Sequence, residues 1–312
     1  MEKTSTVSQI SIRLRGKRIP GAEDRQNKIP GFNQAIFSAS KVLCIGAGGL
    51  ISHIAPALVR KGIGALTILD DDVVEVGNLN RQRFYEKDLG QNKAIALVQN
   101  LQAECIHDSL MTGFALSFQR AVDRGIDLSC NVAICGVDNN PTRVAASRYF
   151  QEKHLPVIFT AVTADADHGY VFVQEAESAC LGCLFPDIAD DQRYPCPGTP
   201  AISEILQLVG ALAAYAVDSC LMKRRRDWNY RQFYLTGAAN EACRTVDRHE
   251  NCPLCGSRQE GAHHNTSNGH SVGHHAISFK SSCRTDCVTR PGGTLVTSSL
   301  KILERLPLPM PS

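Results

Sequence analysis

The sequence predicts an α/β fold: a mostly parallel sheet with helices on both faces and a later antiparallel part. Three observations lead there. An apolar run, Val42 to Ile45, enters a turn with three glycines, Gly46, Gly48 and Gly49, and an apolar-periodic segment from Ser52 to Arg60 follows, the order strand, tight turn, helix. Further apolar strands then alternate with helical segments, which favours parallel pairing. Two Cys-x-x-Cys pairs, Cys180/Cys183 and Cys252/Cys255, frame the later part with 68 residues between them.

Length and composition set the limits. At 312 residues, with 43% hydrophobic and 21% charged content, the chain is long enough to bury a full core. A net charge of +2 gives no general pull toward nucleic acid or membrane. Residues 1–17 lack the apolar segment of a signal peptide, so the 13 cysteines are expected as reduced thiols in a cytoplasmic protein. The longest mainly apolar run, Ile205 to Val217, spans 13 residues. That is too short for a bilayer and is expected as a core or interface helix.

In chain order, residues 8–15 alternate polar and apolar, consistent with a strand or a frayed terminus. Residues 16–31 read as a connection containing Arg25-Gln26. Glycines in the turn after the first apolar strand let backbone lie against a phosphate, and the helix start then offers N–H groups to the anion. The turn is thus a candidate Rossmann-like nucleotide-phosphate cradle, with an ordinary glycine-bearing turn as the alternative, since Ile51 stands where the dinucleotide fingerprint has its third glycine. The strand Ala65 to Leu69 ends in Asp70-Asp71-Asp72, where such folds contact ribose hydroxyls. Gly77 to Arg83 forms a loop, and Gly90-Gln-Asn-Lys93 opens a helix reaching about Glu104, so Arg81 and Lys93 can point back to the cradle. The strand Asn131 to Gly136 ends in Val137-Asp138-Asn139, and a carboxylate at that edge is a candidate magnesium holder. A helix from Thr142 to about Lys153 and strands at 155–162 and 169–173 complete the sheet. The basic run Lys223 to Arg226 is expected to end the long helix.

The cysteines separate by spacing. Cys180, Cys183, Cys252 and Cys255 supply four thiolates to one ion, the donor set of a closed structural zinc site. Cys196 lies in Tyr194-Pro-Cys-Pro-Gly198, just ahead of a helix expected to start near Thr199. A thiol in a loop near a helix N-terminus is a candidate nucleophile. Cys283 and Cys287 are left unassigned, and the Ser/His/Gly-rich stretch 256–275, holding five of the ten histidines, is expected as a linker.

Together, Arg25-Gln26, Gly46 to Leu50, Leu69-Asp70, Asn78-Leu-Asn-Arg-Gln82, Gly90 to Lys93, Val137 to Asn139 and the paired Cys-x-x-Cys resemble the ubiquitin-activating superfamily, which includes the bacterial ThiF and MoeB adenylyltransferases. The resemblance covers about residues 22–256. It implies three parts: an N-terminal arm at 1–30, an ATP-binding adenylation domain with zinc knuckles at 31–256, and a linker and extension at 257–312. It implies ATP, Mg²⁺ and Zn²⁺ as cofactors. A ubiquitin-like partner would present its C-terminal glycine carboxylate to the α-phosphorus of ATP. Gly46, Gly48 and Gly49 would approach the nucleotide and Asp70, with Asp72 beside it, the ribose. Asn78, Arg81, Gln82 and Lys93 would bind the phosphates, and Asp138 the magnesium. Arg25 would reach the ATP site of a second subunit, hence a homodimer. Cys196 matches the crossover-loop cysteine, which in some branches carries the partner as a thioester for a conjugating enzyme, in others joins a sulfur relay of the thiamine or molybdopterin kind, and in others does nothing essential. Two further classes stay open at this stage: a nicotinamide-dependent oxidoreductase, disfavoured by Ile51 and the many phosphate-binding cations, and a non-catalytic scaffold for such a partner.

Overall fold

The computed structural model describes residues 10–163, 165–188, 200–237 and 241–256. Cys196, Cys283, Cys287 and the stretch 257–312 lie outside them. The described strands are β1 (Ser11–Arg15), β2 (Lys41–Ile45), β3 (Ala65–Leu69), β4 (Leu110–Phe114), β5 (Val132–Cys135), β6 (Val157–Val162), β7 (His168–Gln174), β8 (Tyr230–Tyr234) and β9 (Ala242–Arg244). The helices are α1 (Gln34–Ala39), α2 (Gly49–Arg60), α3 (Lys93–Glu104), α4 (Phe118–Asp123), α5 (Asn140–Glu152), α6 (Leu181–Leu184) and α7 (Ser203–Leu221). The sheet order is β1-β4-β3-β2-β5-β6-β7-β8-β9. Strands β4, β3, β2, β5 and β6 run parallel. β1 closes one side and β7, β8 and β9 the other, all antiparallel.

Strand β2 shows why the sheet needs two covered faces. Val42 and Cys44 enter one apolar layer, shared with α2, α3 and α7. Leu43 and Ile45 enter the other, shared with α4, α5 and the cysteine knuckles. A strand apolar at successive positions can be buried on both sides only under helices, which is the parallel-sheet arrangement. The segment 8–15 does form a strand, because Ile12 and Leu14 pack onto the first layer while its backbone pairs with β4 from Ser11↔Phe114 to Arg15↔Leu110.

The third fingerprint glycine is absent, and its place is taken from the opposite side. Ile51 is fully buried, and a Cβ on Gly136 would stand 2.9 Å from its Cγ1. The close helix–sheet approach is kept by moving the glycine from α2 to the end of β5. The helix α2 begins at Gly49, three residues before the apolar period suggested.

Strand β4 has no counterpart in the sequence reading. Its Gly113 weakens the strand pattern, yet α3 requires it, since a Cβ there would come 2.7 Å from the Ala94 carbonyl oxygen. The apolar run 205–217 sits inside the 19-residue α7. Among the described residues α7 is the one helix long and apolar enough to cross a bilayer, but Ile205, Leu206, Val209, Ala213, Ala216 and Val217 are buried against α2, β6 and β7. The basic run does end it: Lys223 turns left-handed at φ +51 and the Arg224 N–H returns to the Ser219 carbonyl at 2.9 Å, closing the last turn. The helix ends at Leu221, and Arg226 turns inward, 8% exposed, to pair with Glu175 and stack on Trp228.

Gly136→Ala should destabilise the protein by roughly 1–3 kcal/mol through overpacking, read from chemical denaturation. In the Ile51→Ala background the same change should cost less, because the colliding atoms are gone; equal costs would refute the complementary packing.

Candidate nucleotide site and cysteine centre

The turns that follow β2, β3 and β5 meet at the C-terminal edge of the parallel strands, the edge where open α/β sheets bind ligands. Gly46 has φ +96, with Val137 close against its α-carbon. A Cβ on Gly49 would meet Leu206 of α7 at 2.9 Å, whereas one on Gly48 would meet nothing within 4 Å. Gly48 thus leaves open space over the start of α2, whose first N–H groups have no acceptor within the helix. That is an anion-binding geometry.

Asp70 joins two of these turns. Its Oδ2 accepts from the Ala47 N–H at 2.6 Å and its Oδ1 from the Asp72 N–H at 2.8 Å. Burial pushes the carboxyl up to about 6, against the pull of Lys93 and of both N–H groups. Lys93, the first residue of α3, places its ammonium 2.9 Å from Asp72, with the lysine side chain 13% exposed and the aspartate 68%. Asn92 was not singled out from the sequence, although an asparagine before an apolar-periodic helix is an N-cap signal. It caps α3 through Ile95 N–H and donates its amide to the Asp70 and Asp72 carbonyls at 2.8 and 3.0 Å.

The Asn78–Arg83 loop is built on itself. Asn78 is buried and its side-chain oxygen accepts from Glu75 N–H at 3.0 Å. Arg81 turns its guanidinium to the Gly77 carbonyl and to Asn80. The side-chain oxygen of Gln82 is buried without a hydrogen-bond partner. Ser52 and His53 of α2, also absent from the sequence reading, hold this loop through Arg83 and Arg81. Asp138 is exposed after β5, and Arg143 donates twice to the Val137 carbonyl beside it, at 3.0 and 2.8 Å. The edge therefore gathers Gly46, Gly48, Gly49, Asp70, Asp72, Lys93 and Asp138, with the Arg81 loop tied to α2.

Arg25 is not brought to this edge. It opens a turn whose next residue, Gln26, donates to the Lys61 carbonyl at the C-terminal end of α2. Twelve helical residues separate that end from the glycine turn, about 18 Å.

Cys180, Cys183, Cys252 and Cys255 are buried with all four sulfurs within 4.8 Å of one another. Cys180 Sγ lies 3.4 Å from Cys252 Sγ and 3.9 Å from Cys183 Sγ, and Cys183 Sγ lies 3.5 Å from Cys255 Sγ. Tetrahedral Zn–S bonds of about 2.3 Å imply sulfurs about 3.8 Å apart. The His249 N–H points at Cys183 Sγ and the Leu254 N–H at Cys252 Sγ, a polarity suited to thiolates. Gly182 is needed inside the first knuckle, since a Cβ there would strike Leu254 at 2.7 Å.

The model of the ThiF family matches residues 24–255. The chain belongs to the ThiF family. This ThiF-family protein is 28% identical over 230 residues to the SAMP-activating enzyme E1 of Haloferax volcanii, covering 72% of this chain and 83% of that one. It is 29% identical over 237 residues to the sulfur carrier protein adenylyltransferase of Thermus thermophilus, covering 72% and 84%. Among solved structures, Escherichia coli MccB with ATP aligns with a TM-score of 0.59 at 20% identity, over 72% of this chain and 68% of that chain, a likeness of fold.

The raised Asp70 carboxyl has a measurable signature in this ThiF-family fold. Its folded value lies above the ordinary 3.8, so the fold favours the protonated form. Stability from this group is full below about pH 4 and is lost as pH rises through about 6. The stability difference between wild type and Asp70→Asn, followed by urea unfolding, should therefore move against wild type across that window; a flat difference would contradict it.

Proposed function

We propose that this ATP-dependent adenylyltransferase activates the C-terminal glycine of a small ubiquitin-like protein. The supporting observation is the open space over Gly48 at the bare start of α2, bordered by Asp70 and Lys93, in a ThiF-family chain. Each Asp70 oxygen spends one lone pair on a backbone N–H and keeps capacity for a further donor, such as a ribose hydroxyl. The partner's carboxylate oxygen attacks the α-phosphorus, the bond from that phosphorus to the bridging oxygen breaks, and pyrophosphate leaves with the electron pair. No covalent help from the enzyme is needed, so positioning and charge stabilisation carry the rate. Lys93, Arg81 and Asn78 are the side chains assigned to the phosphates, with Gln82 beside them. The exposed Asp138 carboxylate fits a magnesium ion held by one carboxylate together with substrate phosphates, which would neutralise phosphate charge.

Beyond adenylation, we assign Cys196 as the thioester acceptor that passes the partner to a conjugating enzyme. The alternative is activation of a sulfur carrier, and the names of the two relatives above support one reading each. Arg25, exposed at the far end of α2, is assigned to the nucleotide site of a second copy in a homodimer. The cysteine quartet is assigned to a structural Zn²⁺, closed to catalysis because all four positions are thiolates.

With a candidate partner ending in glycine, the protein should exchange labelled pyrophosphate into ATP, and Asp138→Ala or Lys93→Ala should slow exchange on the order of 100-fold. Absence of exchange, or an unaffected Asp138→Ala, sinks the assignment. In Cys196→Ala a reducible covalent adduct with the partner should vanish while exchange persists. If the adduct survives, exposed Cys243 is a better acceptor than Cys220, whose thiol burial pushes up to about 11.

Metal analysis should find one zinc per chain, and chelation should lower the melting temperature. A metal-free preparation with unchanged melting would remove the zinc assignment.

A further inference from the structure

Two consecutive residues of α2, Ser52 and His53, grip the loop that carries Arg81. Ser52 Oγ donates to the Gly49 carbonyl at 3.0 Å and accepts the Arg83 N–H at 3.3 Å. His53 Nε2 lies 3.0 Å from the Arg81 carbonyl oxygen, and His53 Nδ1 lies 3.4 Å from Arg83 Nε. A carbonyl can only accept and a guanidinium N–H can only donate. Nε2 must therefore carry the hydrogen and Nδ1 must be bare, a state that exists in the neutral ring alone.

We infer that His53, as the neutral Nε2–H tautomer, is a positioning residue that fixes the Asn78–Arg83 loop, and Arg81 within it, against the first turn of the nucleotide-binding helix. The inference deepens the adenylation reading and rests on it for its catalytic consequence. The path is short: Gly49 to Ser52 to Arg83 on one side, His53 to Arg81 on the other. The same loop is held from α3, where Glu104 lies 3.7 Å from Arg83 Nη1 and also pairs with Arg60. From α7 the neighbour is uncharged Gly210, where an added Cβ would stand 3.3 Å from His53 Cβ. The charged group facing the ring is thus Arg83, backed by Glu104, which Arg60 also pairs; the Arg81 guanidinium is turned away to Gly77 and Asn80.

Protonation would set an Nδ1–H against the Arg83 N–H and break the grip. Burial, with Arg83 adding to it, holds the imidazole below its ordinary 6.5, while the bond to the Arg81 carbonyl works the other way. Because the folded value is depressed, the grip is complete above about pH 6.5 and fails only as pH falls below it.

Nitrogen-detected NMR of the full chain should show His53 with a bare Nδ1 and titrating below 6.5. Protection of the Arg83 amide relative to its intrinsic exchange rate should fall in His53→Ala, and in wild type at acid pH, but not in His53→Gln, whose amide can donate to Arg81 and accept from Arg83. Asp70 titrates in the same region, so the wild-type acid limb is read as its difference from His53→Gln. In pyrophosphate exchange, His53→Ala should raise KM for ATP roughly threefold to tenfold, the scale of one or two hydrogen bonds, with kcat changed less and His53→Gln restoring it. A protonated Nδ1 at neutral pH, or His53→Ala with wild-type exchange protection and KM, overturns the inference. The NMR and hydrogen-exchange arms need no ATP. They judge the grip even if wild type proves inactive, an outcome that would fault the adenylation reading alone.

Discussion

The carboxylate of Asp70 ties together two of the turns at the candidate nucleotide edge. The strand ladders carry only to the first residue of each turn, as in Gly46 N–H to the Leu69 carbonyl and Gly136 N–H to the Ile45 carbonyl, so the turns beyond need a further tie. Asp70 supplies it by accepting one N–H from the turn after β2 and one from the turn after β3, and Asn92 extends the tie to the start of α3. The cost is a partly desolvated charge, visible in its raised pKa. Such a group is poised to gain from a ligand that brings hydroxyl donors, because each oxygen still has an unused lone pair.

The opposite flank relies on different physics. Among the described residues, the antiparallel strand β7 receives one long helix, α7, on one face. On the other, the cysteine knuckles take the place of a helix. Gln174 connects them to the rest: its side-chain oxygen accepts from Ser147 of α5 and from Leu181 N–H beside the first knuckle, while its amide donates to the Ser147 carbonyl. A buried amide paired through both its oxygen and its nitrogen fixes register where apolar contacts alone would allow sliding.

Much of the nucleotide edge was legible because its residues act locally. A glycine turn and an acidic strand end each carry their reason within a few positions, and the Asn92 cap, which went unread, carries a signal of the same local kind. The cysteine quartet was legible through spacing alone. Strands β4 and β8 were not. Gly113 serves the close approach of α3, and β8 carries Arg231 and Gln232 among aromatic residues whose partners lie far along the chain. The grip of Ser52 and His53 on the Arg81 loop was hidden for the same reason.

The sequence by itself determined the alternation of strands and helices, the phosphate-suited turn and the four thiols, since these follow from periodicity and from the chemistry of single residues. Tertiary structure decided where Arg25 lies, that Gly136 makes room for Ile51, and that His53 must be neutral. Each of those depends on which atoms face one another across elements, and a hydrogen bond or a steric fit between distant segments leaves no mark on local residue order.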